Sequence, residues 1–556
     1  EETLDNGLKI YIVPKDNING IYATFNTRFG SIHTEFVPNN KNKMIKVPLG
    51  VAHFLEHKMF EMPNGIDASN LFLEIGADSN AYTDYNETAY VVSCTANFNK
   101  ALEILLDFVQ TPYFTDENVD KEKGIIIEEL KMYQDNPSDR LYNSLLKNLY
   151  KTNNHREDVV GTIDSINSIT KEILYKCYNT FYHPQNMYLS ISGDVDVEEV
   201  FKIIEENQNK KQFPEFKGIK CKYDIESNVV YRKSGSSSMD IIMPRVSVGV
   251  KLPVFEYDQD ELLKLECISK IILEYKFGFS SKNYQYMLDE DLISGFTYSF
   301  HYDKSSSYIK FIANSFNPKL FANFIKKELL KFNDFEIDEK SFNNIKKGLI
   351  GTFIKSFDNV EFVSTNLIEY LFKNTNIFNA VKIIESITIN DLIDFCQLIN
   401  GTYKGSKTKY DFGKEIDGKM VYSLLRDITL TEEDCAKLSP IADDEDEPFN
   451  DIFDGRGFTI SNLILPDLDY TGLFGYIGKS GVVKNLHINN ASMEGVTNSK
   501  YVGVIASKNS GLIDGCSVKG STISSKVEGK LGIICSLSPG YVINSYTQND
   551  TVKVHS

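Results

Sequence analysis

Two histidines four residues apart, His53 and His57, have the types and spacing needed to bind one metal ion. They lie in the segment VAHFLEHKMF, which follows Pro48 and ends before Pro63-Asn64-Gly65, and these start and stop signals predict a helix. Residues four apart share one face of a helix, so both imidazoles can reach the same ion. Glu56 lies on that face, close enough to hold a metal-bound water. The pattern therefore predicts a catalytic zinc site rather than two solvated histidines.

A catalytic zinc ion needs three protein ligands and one open position for water, so a third ligand must come from elsewhere. The segment DENVDKEKGIIIEELKMYQD predicts a long helix that carries several glutamates. Glu122 and Glu129 are seven apart, two turns along one face, whereas Glu128 points about 100° away. Two acids on a buried face are costly unless a cation satisfies them. Glu129 as ligand and Glu122 as partner of a ligand histidine would remove that cost, although these residues alone leave Glu128 open as the ligand.

The elements that must position these side chains are mixed strands and helices. The segments GLKIYIVP and GIYATFNTRF are β-rich and bounded by glycine, proline and asparagine, which predicts strands. The segment DSNAYTDYNETAYVVSCT predicts two strands around a turn at Tyr85-Asn86, and NKALEILLDFVQ predicts an amphipathic helix. Strands and helices in this order indicate an α+β fold.

The chain repeats itself. HFLEHKMF aligns with IILEYKFG at residues 271–278, and the helical segments that follow each of them also align. This internal similarity predicts two copies of one domain, residues 1–217 and residues 218–412. In the second copy Ile271 and Tyr275 replace the histidines while Glu274 remains, so this copy cannot bind metal at that place.

Residues 413–556 have a different texture. Short β-rich segments separated by glycines, such as GLFGYIGKSGVVKNLHI and VGVIASKNSGLIDGCSV, recur about thirty residues apart. A short repeat that cannot bury its own apolar face must stack on its neighbours, which predicts a β-solenoid. The segments FDGRGFTISNL, GLFGYI and VKNL resemble glycine-rich repeats of the GLUG type.

Composition argues against nucleic-acid binding and against a transmembrane helix, and it favours one type of compartment. The 556 residues carry a formal charge of −18, which argues against nucleic-acid binding because no basic surplus is available for phosphates. No run of about eighteen apolar residues is present, so no transmembrane helix is expected. The eight cysteines include no CxxC pair and are thinly spread, which favours a reducing compartment, and the predicted location is cytoplasmic. The solenoid favours the alternative of a bacterial cell surface or secretion.

Several motifs together resemble one family. HFLEHKMFE, NAYTDYNETAY, DFVQTPYFT, EKGIIIEELKMYQDNP and CYNTFYHPQNM, with FGFSSKNYQYMLDEDLI in the second half, resemble the pitrilysin/insulinase family of zinc peptidases, the inverzincins. The closer similarity is to the bacterial insulinase-like subgroup, and it covers residues 1–412. It implies that each half is an α+β domain, an antiparallel sheet with helices on one side, and that the second copy is inactive.

The resemblance also implies roles for individual residues. His53, His57 and Glu129 would bind one zinc ion per chain, Glu56 would be the general base, and Glu122 would support a ligand histidine. Asn80 and Ala81 match the edge strand that pairs with an extended substrate. The β-rich run SNAYTDY extends this predicted substrate edge to Tyr82.

The predicted function is therefore zinc-dependent endopeptidase activity on extended peptides. The alternative is a non-catalytic or scaffold subunit of a peptidase complex, with the solenoid as the binding module. Peptidases of this family enclose substrate with four such domains, and this chain has two. The resemblance therefore implies a homodimer, or a heterodimer with a related insulinase-like subunit.

Overall fold

The computed structural model of the protein describes residues 1–39, 41–63, 65–224, 226, 229–252, 254, 259–303, 305–400, 414–416, 419–424, 427–436, 438–464, 470–496, 501–525 and 530–554. The chain divides into two compact units, Glu1–Thr402 and Tyr403–Ser556. The predicted domain boundary between residues 412 and 413 lies outside the described residues. The predicted boundary between residues 217 and 218, inside the first unit, stays a prediction.

The first half of the first unit is built on a six-stranded sheet. The strands of this half are β1 (Glu2–Thr3), β2 (Lys9–Pro14), β3 (Ile21–Thr27), β4 (Glu35–Val37), β5 (Ile45–Lys46), β6 (Asp78–Thr83), β7 (Thr88–Cys94), β8 (Met187–Gly193) and β9 (Lys220–Cys221). The order in the large sheet is β1-β2-β8-β3-β7-β6, and β5-β4-β9 form a small second sheet. Neighbours in the large sheet are antiparallel except β2 and β8, which are parallel.

Helices cover one face of this sheet. They are α1 (Val51–Met59), α2 (Ala68–Glu74), α3 (Phe98–Val109), α4 (Asp116–Asp135), α5 (Pro137–Leu149), α6 (Ile163–Asn167), α7 (Lys171–Phe181) and α8 (Val197–Asn209). Side chains alternate along a strand, and in β3 Ala23 and Phe25 join the large core that also contains Phe54 of α1 and Leu105 of α3. The predicted α+β domain with helices on one side of the sheet is confirmed.

The second half of the first unit has the same class of fold. Its strands are β10 (Arg245–Lys251), β11 (Gly295–Tyr302) and β12 (Ser307–Asn314). Its helices are α9 (Gln259–Phe277), α10 (Lys282–Asp289), α11 (Pro318–Leu330), α12 (Glu339–Ser356), α13 (Val360–Phe372), α14 (Ala380–Ser386) and α15 (Ile389–Asn400). The three strands form an antiparallel sheet in the order β10-β12-β11.

Helix α13 of the second half packs on the face of the first sheet opposite to α1. It contacts β3 and β8, and the hydroxyl of Ser364 donates to the backbone oxygen of Tyr22 at 3.2 Å. Thr24 and Asn26, which point to this face, are completely buried. The second half therefore completes the burial of the sheet that carries the site described below.

The site of the missing histidines in the second half lies in α9. Ile271 is completely buried, and the carboxylate of Glu274 accepts a hydrogen bond of 2.6 Å from the hydroxyl of Tyr298. Glu274 thus has a structural partner where Glu56, its counterpart in the first half, faces two histidines.

The second unit is a β-solenoid, as predicted. Its elements are β13 (Lys414–Ile416), β14 (Lys419–Ser423), β15 (Ile428–Thr429), α16 (Glu432–Cys435), β16 (Ile452–Asp454), β17 (Thr459–Ser461), β18 (Tyr470–Thr471), β19 (Phe474–Ile477), β20 (Val482–Lys484), β21 (His487–Asn489), β22 (Ser492–Val496), β23 (Tyr501–Gly503), β24 (Ala506–Asn509), β25 (Leu512–Asp514), β26 (Ser517–Lys519), β27 (Thr522–Ser525), β28 (Lys530–Gly532), β29 (Cys535–Leu537), β30 (Tyr541–Ile543), β31 (Tyr546–Gln548) and β32 (Thr551–Val554).

Successive turns of the solenoid stack as parallel sheets, for example β16-β20-β25-β30 and β17-β21-β26-β31. The inward residues form buried ladders, such as Ile460, Ile488 and Val518, because each turn covers the apolar face of the last. The assignment of the repeats to the GLUG type stays a prediction. In the part of the chain that the structure describes, no helix is long and apolar enough to cross a membrane.

Candidate metal centre

The helix that carries both histidines, α1, begins where the chain makes a close approach to another loop. Gly50 precedes it with φ +79°, and a Cβ at Gly50 would stand 2.1 Å from the backbone oxygen of Val160. Only glycine fits this position without strain. The helix is buried on almost every side, and this fixes the direction in which its polar residues point.

The two histidines and Glu129 converge. The rings of His53 and His57 have centroids 4.6 Å apart, and His53 is 7% exposed. Nε2 of His53 lies 3.6 Å from Oε1 of Glu129, and Nε2 of His57 lies 3.4 Å from Oε2 of the same carboxylate. Two atoms bound to one tetrahedral zinc ion at about 2.0–2.1 Å lie about 3.3–3.4 Å apart. These three side chains therefore have the spacing that one ion requires.

The hydrogen bonding of the site also fits a metal ion. Oε2 of Glu129 is buried and has no hydrogen-bond partner, although the two imidazoles face it. A buried carboxylate oxygen without a partner is unfavourable, and a cation between the three side chains would satisfy it. Two imidazoles and one carboxylate are the donor set of a catalytic zinc site with an open fourth position.

Helix α4 brings Glu129 and Glu122 to the histidines. Its start is fixed by a capping box, in which the Thr115 hydroxyl accepts from the backbone N–H of Asn118 and the Asn118 side chain accepts from that of Thr115. Glu122 and Glu129 then face α1, two turns apart. Oε1 of Glu122 lies 3.1 Å from Nδ1 of His57, the nitrogen that points away from Glu129.

Glu128 occupies a different environment. Its side chain is 73% exposed and pairs with Lys131 at 2.7 Å. The structure thus brings Glu129, and not Glu128, into the group with the histidines. The difference follows from the 100° step between consecutive helical residues.

The charges of the site are strongly coupled. Burial alone would lower the pKa of His57, but the Glu122 carboxylate at its Nδ1 and the nearby Glu129 carboxylate raise it to about 10. Burial would raise the pKa of both carboxyls, yet the interaction with the histidines holds the pKa of Glu129 and of Glu122 below the usual value. Lys58, only 1% exposed, lies 3.5 Å from Oε2 of Glu122 and adds to this effect. Both acids are therefore ionised and ready to support a cation.

Glu56 lies beside the histidines and is held by a residue that the sequence reasoning missed. The hydroxyl of Thr83, at the end of β6, donates to Oε2 of Glu56 at 2.7 Å. Glu56 is 7% exposed, and burial raises the pKa of its carboxyl. Alternation along β6 would have placed Ala81 and Thr83 on one face, but it does not say which helix residue that face meets.

The predicted substrate residues Asn80, Ala81 and Tyr82 all lie on β6. This strand is the last of the sheet, and among the described residues it pairs with β7 alone, so its other edge is an unpaired strand edge there. Asn80 is exposed, and the hydroxyl of Tyr82 donates to the buried carboxylate of Glu87 at 3.2 Å. The open edge and the metal-binding residues are thus joined through Thr83 and Glu56.

Comparison with known proteins places these features in a family context. The family model described as Insulinase (Peptidase family M16) matches residues 46–163, and the model described as Peptidase M16 inactive domain matches residues 168–349. A Bacillus subtilis protein named "Uncharacterized zinc protease YmfH" is 40% identical over 397 residues, covering 71% of this chain and 92% of the relative. "Zinc protease PqqE" of Helicobacter pylori is 24% identical and covers 67% of this chain and 83% of the relative.

Solved structures agree. The crystal structure of an M16-like peptidase from Alicyclobacillus acidocaldarius superposes with a TM-score of 0.68 at 34% identity, covering 72% of this chain and 94% of that one. A protease from Helicobacter pylori superposes with a TM-score of 0.61 at 22% identity, covering 71% and 95%, which shows the shared fold.

Proposed function

Because the chain belongs to the insulinase family of zinc peptidases, M16, we propose that it is a zinc-dependent endopeptidase that hydrolyses extended peptides. The observation that carries this proposal is the convergence of His53, His57 and Glu129 beside Glu56, in the half of the chain that matches the peptidase model. The half that matches the inactive-domain model has Ile271 and Tyr275 in place of the histidines.

One zinc ion per chain would be held by His53, His57 and Glu129. Bound there, zinc supplies a Lewis acid for the peptide carbonyl and lowers the pKa of its water. Glu122 keeps the His57 ring oriented through Nδ1, so that Nε2 faces the Glu129 carboxylate, and its negative charge would make the imidazole a better metal ligand.

Glu56 is the proposed general base. Its Oε2 is held by the Thr83 hydroxyl, which leaves Oε1 to accept the proton that the attacking water loses. The same carboxyl then passes the proton to the nitrogen of the leaving amine. Burial raises the pKa of Glu56 toward the range in which a carboxyl both accepts and releases a proton readily.

The substrate is proposed to add as a strand to the open edge of β6 at Asn80–Tyr82. Main-chain hydrogen bonds would supply much of the affinity, so selectivity would follow peptide length and lack of folded structure more than one side chain. The same strand, β6, carries Thr83, whose hydroxyl donates to Glu56 of α1. A peptide bound along β6 would therefore lie next to the base.

A second insulinase-like chain is proposed to complete the enclosure around substrate, as a homodimer or as a heterodimer with a related subunit. A cytoplasmic location is proposed from the cysteine pattern of the sequence. The alternative function, a non-catalytic subunit, would require loss of the ligand set. This chain keeps that set in its first half.

The test is cleavage of an unfolded reporter peptide by the full chain, measured with its zinc content. Chelation should abolish cleavage and added zinc should restore it. His57→Ala should bind less zinc and stay inactive after zinc is added. A metal-loaded, folded wild-type chain that cleaves no unfolded peptide, alone or as a dimer, would contradict the proposal.

A further inference from the structure

A second group of two histidines and one acid lies at the junction of the two halves of the first unit. His155 comes from the first half, and His301 and Asp303 come from the end of β11 and the turn after it. His155 is completely buried and Asp303 is 3% exposed. Their ligand-type atoms lie within 4.8 Å of one another, so the group must be tested as a metal site.

The distances distinguish this group from the metal centre. Nε2 of His155 lies 2.9 Å from Oδ2 of Asp303, which is a hydrogen-bond length and shorter than the spacing of two ligands on one zinc ion. At the metal centre the corresponding distances are 3.4 and 3.6 Å. In the second group, His155 and Asp303 are therefore joined by a direct hydrogen bond, which leaves no space for a metal ion between these two atoms.

Its polar atoms are also satisfied. Oδ1 of Asp303 accepts from the backbone N–H of Ser305 at 2.9 Å, and Oδ2 accepts from the side-chain amide of Asn86 as well as from His155. Nε2 of His301 lies 3.1 Å from the Ser306 hydroxyl. None of the three side chains has a buried ligand atom without a partner, unlike Glu129 at the metal centre.

Asn153 lies against the other ring nitrogen of His155. The Asn153 amide nitrogen donates to the backbone oxygens of Asp224 and Ser305, so its side-chain oxygen faces Nδ1 of His155 at 2.9 Å. His155 therefore lies between the Asn153 side-chain oxygen and the Asp303 carboxylate, and these buried polar contacts join the two halves.

The contact between His155 and Asp303 lies against the turn of the hairpin formed by β6 and β7. Asn86 is in that turn and donates to Asp303, and the ring of Tyr85 packs 4.6 Å from that of His155. On the other side, Ser31 and Ile32 donate backbone hydrogen bonds to the oxygens of Asp84 and Tyr85. The turn is thus fixed from both halves, and β6 ends two residues before Tyr85.

We propose that Asp303, a residue of the inactive second copy, is a positioning residue for peptide binding on β6. It acts through Asn86, which anchors the turn and so keeps the open edge of β6 ordered before a peptide arrives. This inference rests on the proposed binding of peptide to that edge. If the anchor is lost, the strand must be ordered during binding, and the affinity for peptide falls.

The test uses Asn86→Ala in the full, zinc-loaded chain, because this change removes the anchor and leaves the pair of His155 and Asp303 intact. The matched control is Asn99→Ala, since Asn99 also donates to a carboxylate, Glu199, but on the exposed surface of α3. Asn86→Ala should raise the KM for a long unfolded peptide about three- to tenfold, with kcat within about twofold and zinc content unchanged. Asn99→Ala should behave as the wild type.

Two further measurements report on β6 without depending on peptide cleavage. In a Glu56→Gln background, Asn86→Ala should weaken peptide binding measured by fluorescence anisotropy. This result is expected whether or not the wild-type chain cleaves the peptide. Backbone amides of Asn80–Thr83 should exchange hydrogen faster in Asn86→Ala. Asp303→Asn should show the same changes, and combining it with Asn86→Ala should add little.

Three results would overturn the inference. The first is an Asn86→Ala chain with wild-type KM, peptide affinity and amide exchange. The second is a drop in kcat with unchanged KM. The third is a zinc content of two per wild-type chain that falls to one in Asp303→Asn, because the group would then be a metal site.

Discussion

Glu122→Gln tests how the metal centre is supported without removing a proposed ligand. The substitution keeps the size of the side chain and one acceptor oxygen, but it removes the negative charge. In the native chain that charge lies 3.1 Å from Nδ1 of His57 and 3.5 Å from Nζ of Lys58. The variant therefore leaves His57 in place and makes it a weaker ligand, while the buried Lys58 loses part of its compensation.

The expected size of the effect follows from the role of the carboxylate. Partners that orient a ligand histidine typically change metal affinity by about 10–100-fold. Because Gln still accepts a hydrogen bond from Nδ1, we expect a loss of about tenfold, or about 1.4 kcal/mol of binding free energy. At saturating zinc, the stabilisation of the folded chain by zinc should fall by about the same amount.

The assay is competition for zinc with a chelator of known affinity, supported by thermal unfolding with and without zinc. Glu128→Gln is the matched control, because Glu128 is exposed and pairs with Lys131. Glu129→Gln should weaken zinc binding more than Glu122→Gln does. Wild-type affinity in Glu122→Gln, or a larger loss in Glu128→Gln than in Glu129→Gln, would refute the assignment of these acids.

Three further predictions concern catalysis, acid stability and the solenoid. Thr83→Val should keep zinc and lower kcat about 10–100-fold, because it removes a hydrogen bond to the Glu56 carboxylate. Thr83→Ser keeps the hydroxyl and should have a kcat close to that of the wild type. Equal kcat values in the two variants would contradict this role of Thr83. Burial would raise the pKa of Glu226, but backbone N–H groups of Lys151, Thr152 and Asn153 and the ammonium of Lys251 lower it to about 2. Because folding depresses this pKa, ionised Glu226 stabilises the folded chain above about pH 4.5, and this stabilisation is lost as the pH falls toward 2. Glu226→Gln should therefore flatten the dependence of the free energy of unfolding on pH in this range. An unchanged dependence would count against this role of Glu226. A chain of residues 1–413 should hold zinc and cleave peptides at a similar rate, since all the proposed metal ligands lie before residue 130. A folded, metal-loaded but inactive fragment would show that the solenoid takes part.

The helical period made part of the metal centre predictable. His53, Glu56 and His57 share a helix, and the period of 3.6 residues alone puts them on one face. The period also favoured Glu129 over Glu128 but left both open. The structure adds the packing of α4 on α1, which turns Glu129 toward the histidines and Glu128 toward solvent.

Contacts between distant segments could not be predicted in this way. Thr83 reaches Glu56 because β6 packs on α1, and no local pattern encodes that pairing. His155 and Asp303 are 148 residues apart and meet only because the two halves pack together. The repeat in residues 413–556 did predict the solenoid, since each repeat can bury its apolar face only on the next. The sheet registers and the parallel pairing of β2 with β8, in a first sheet whose other pairs are antiparallel, needed the structure.

The most direct test of the proposed function is Glu56→Gln in the full chain, with zinc content and peptide cleavage measured on the same sample. The substitution keeps the shape of the side chain and its contact with Thr83, but it removes the proton acceptor. We expect unchanged zinc content and a rate about 10²–10⁴-fold lower than that of the wild type. A fully metal-loaded Glu56→Gln chain that cleaves peptide at the wild-type rate would contradict the proposed mechanism.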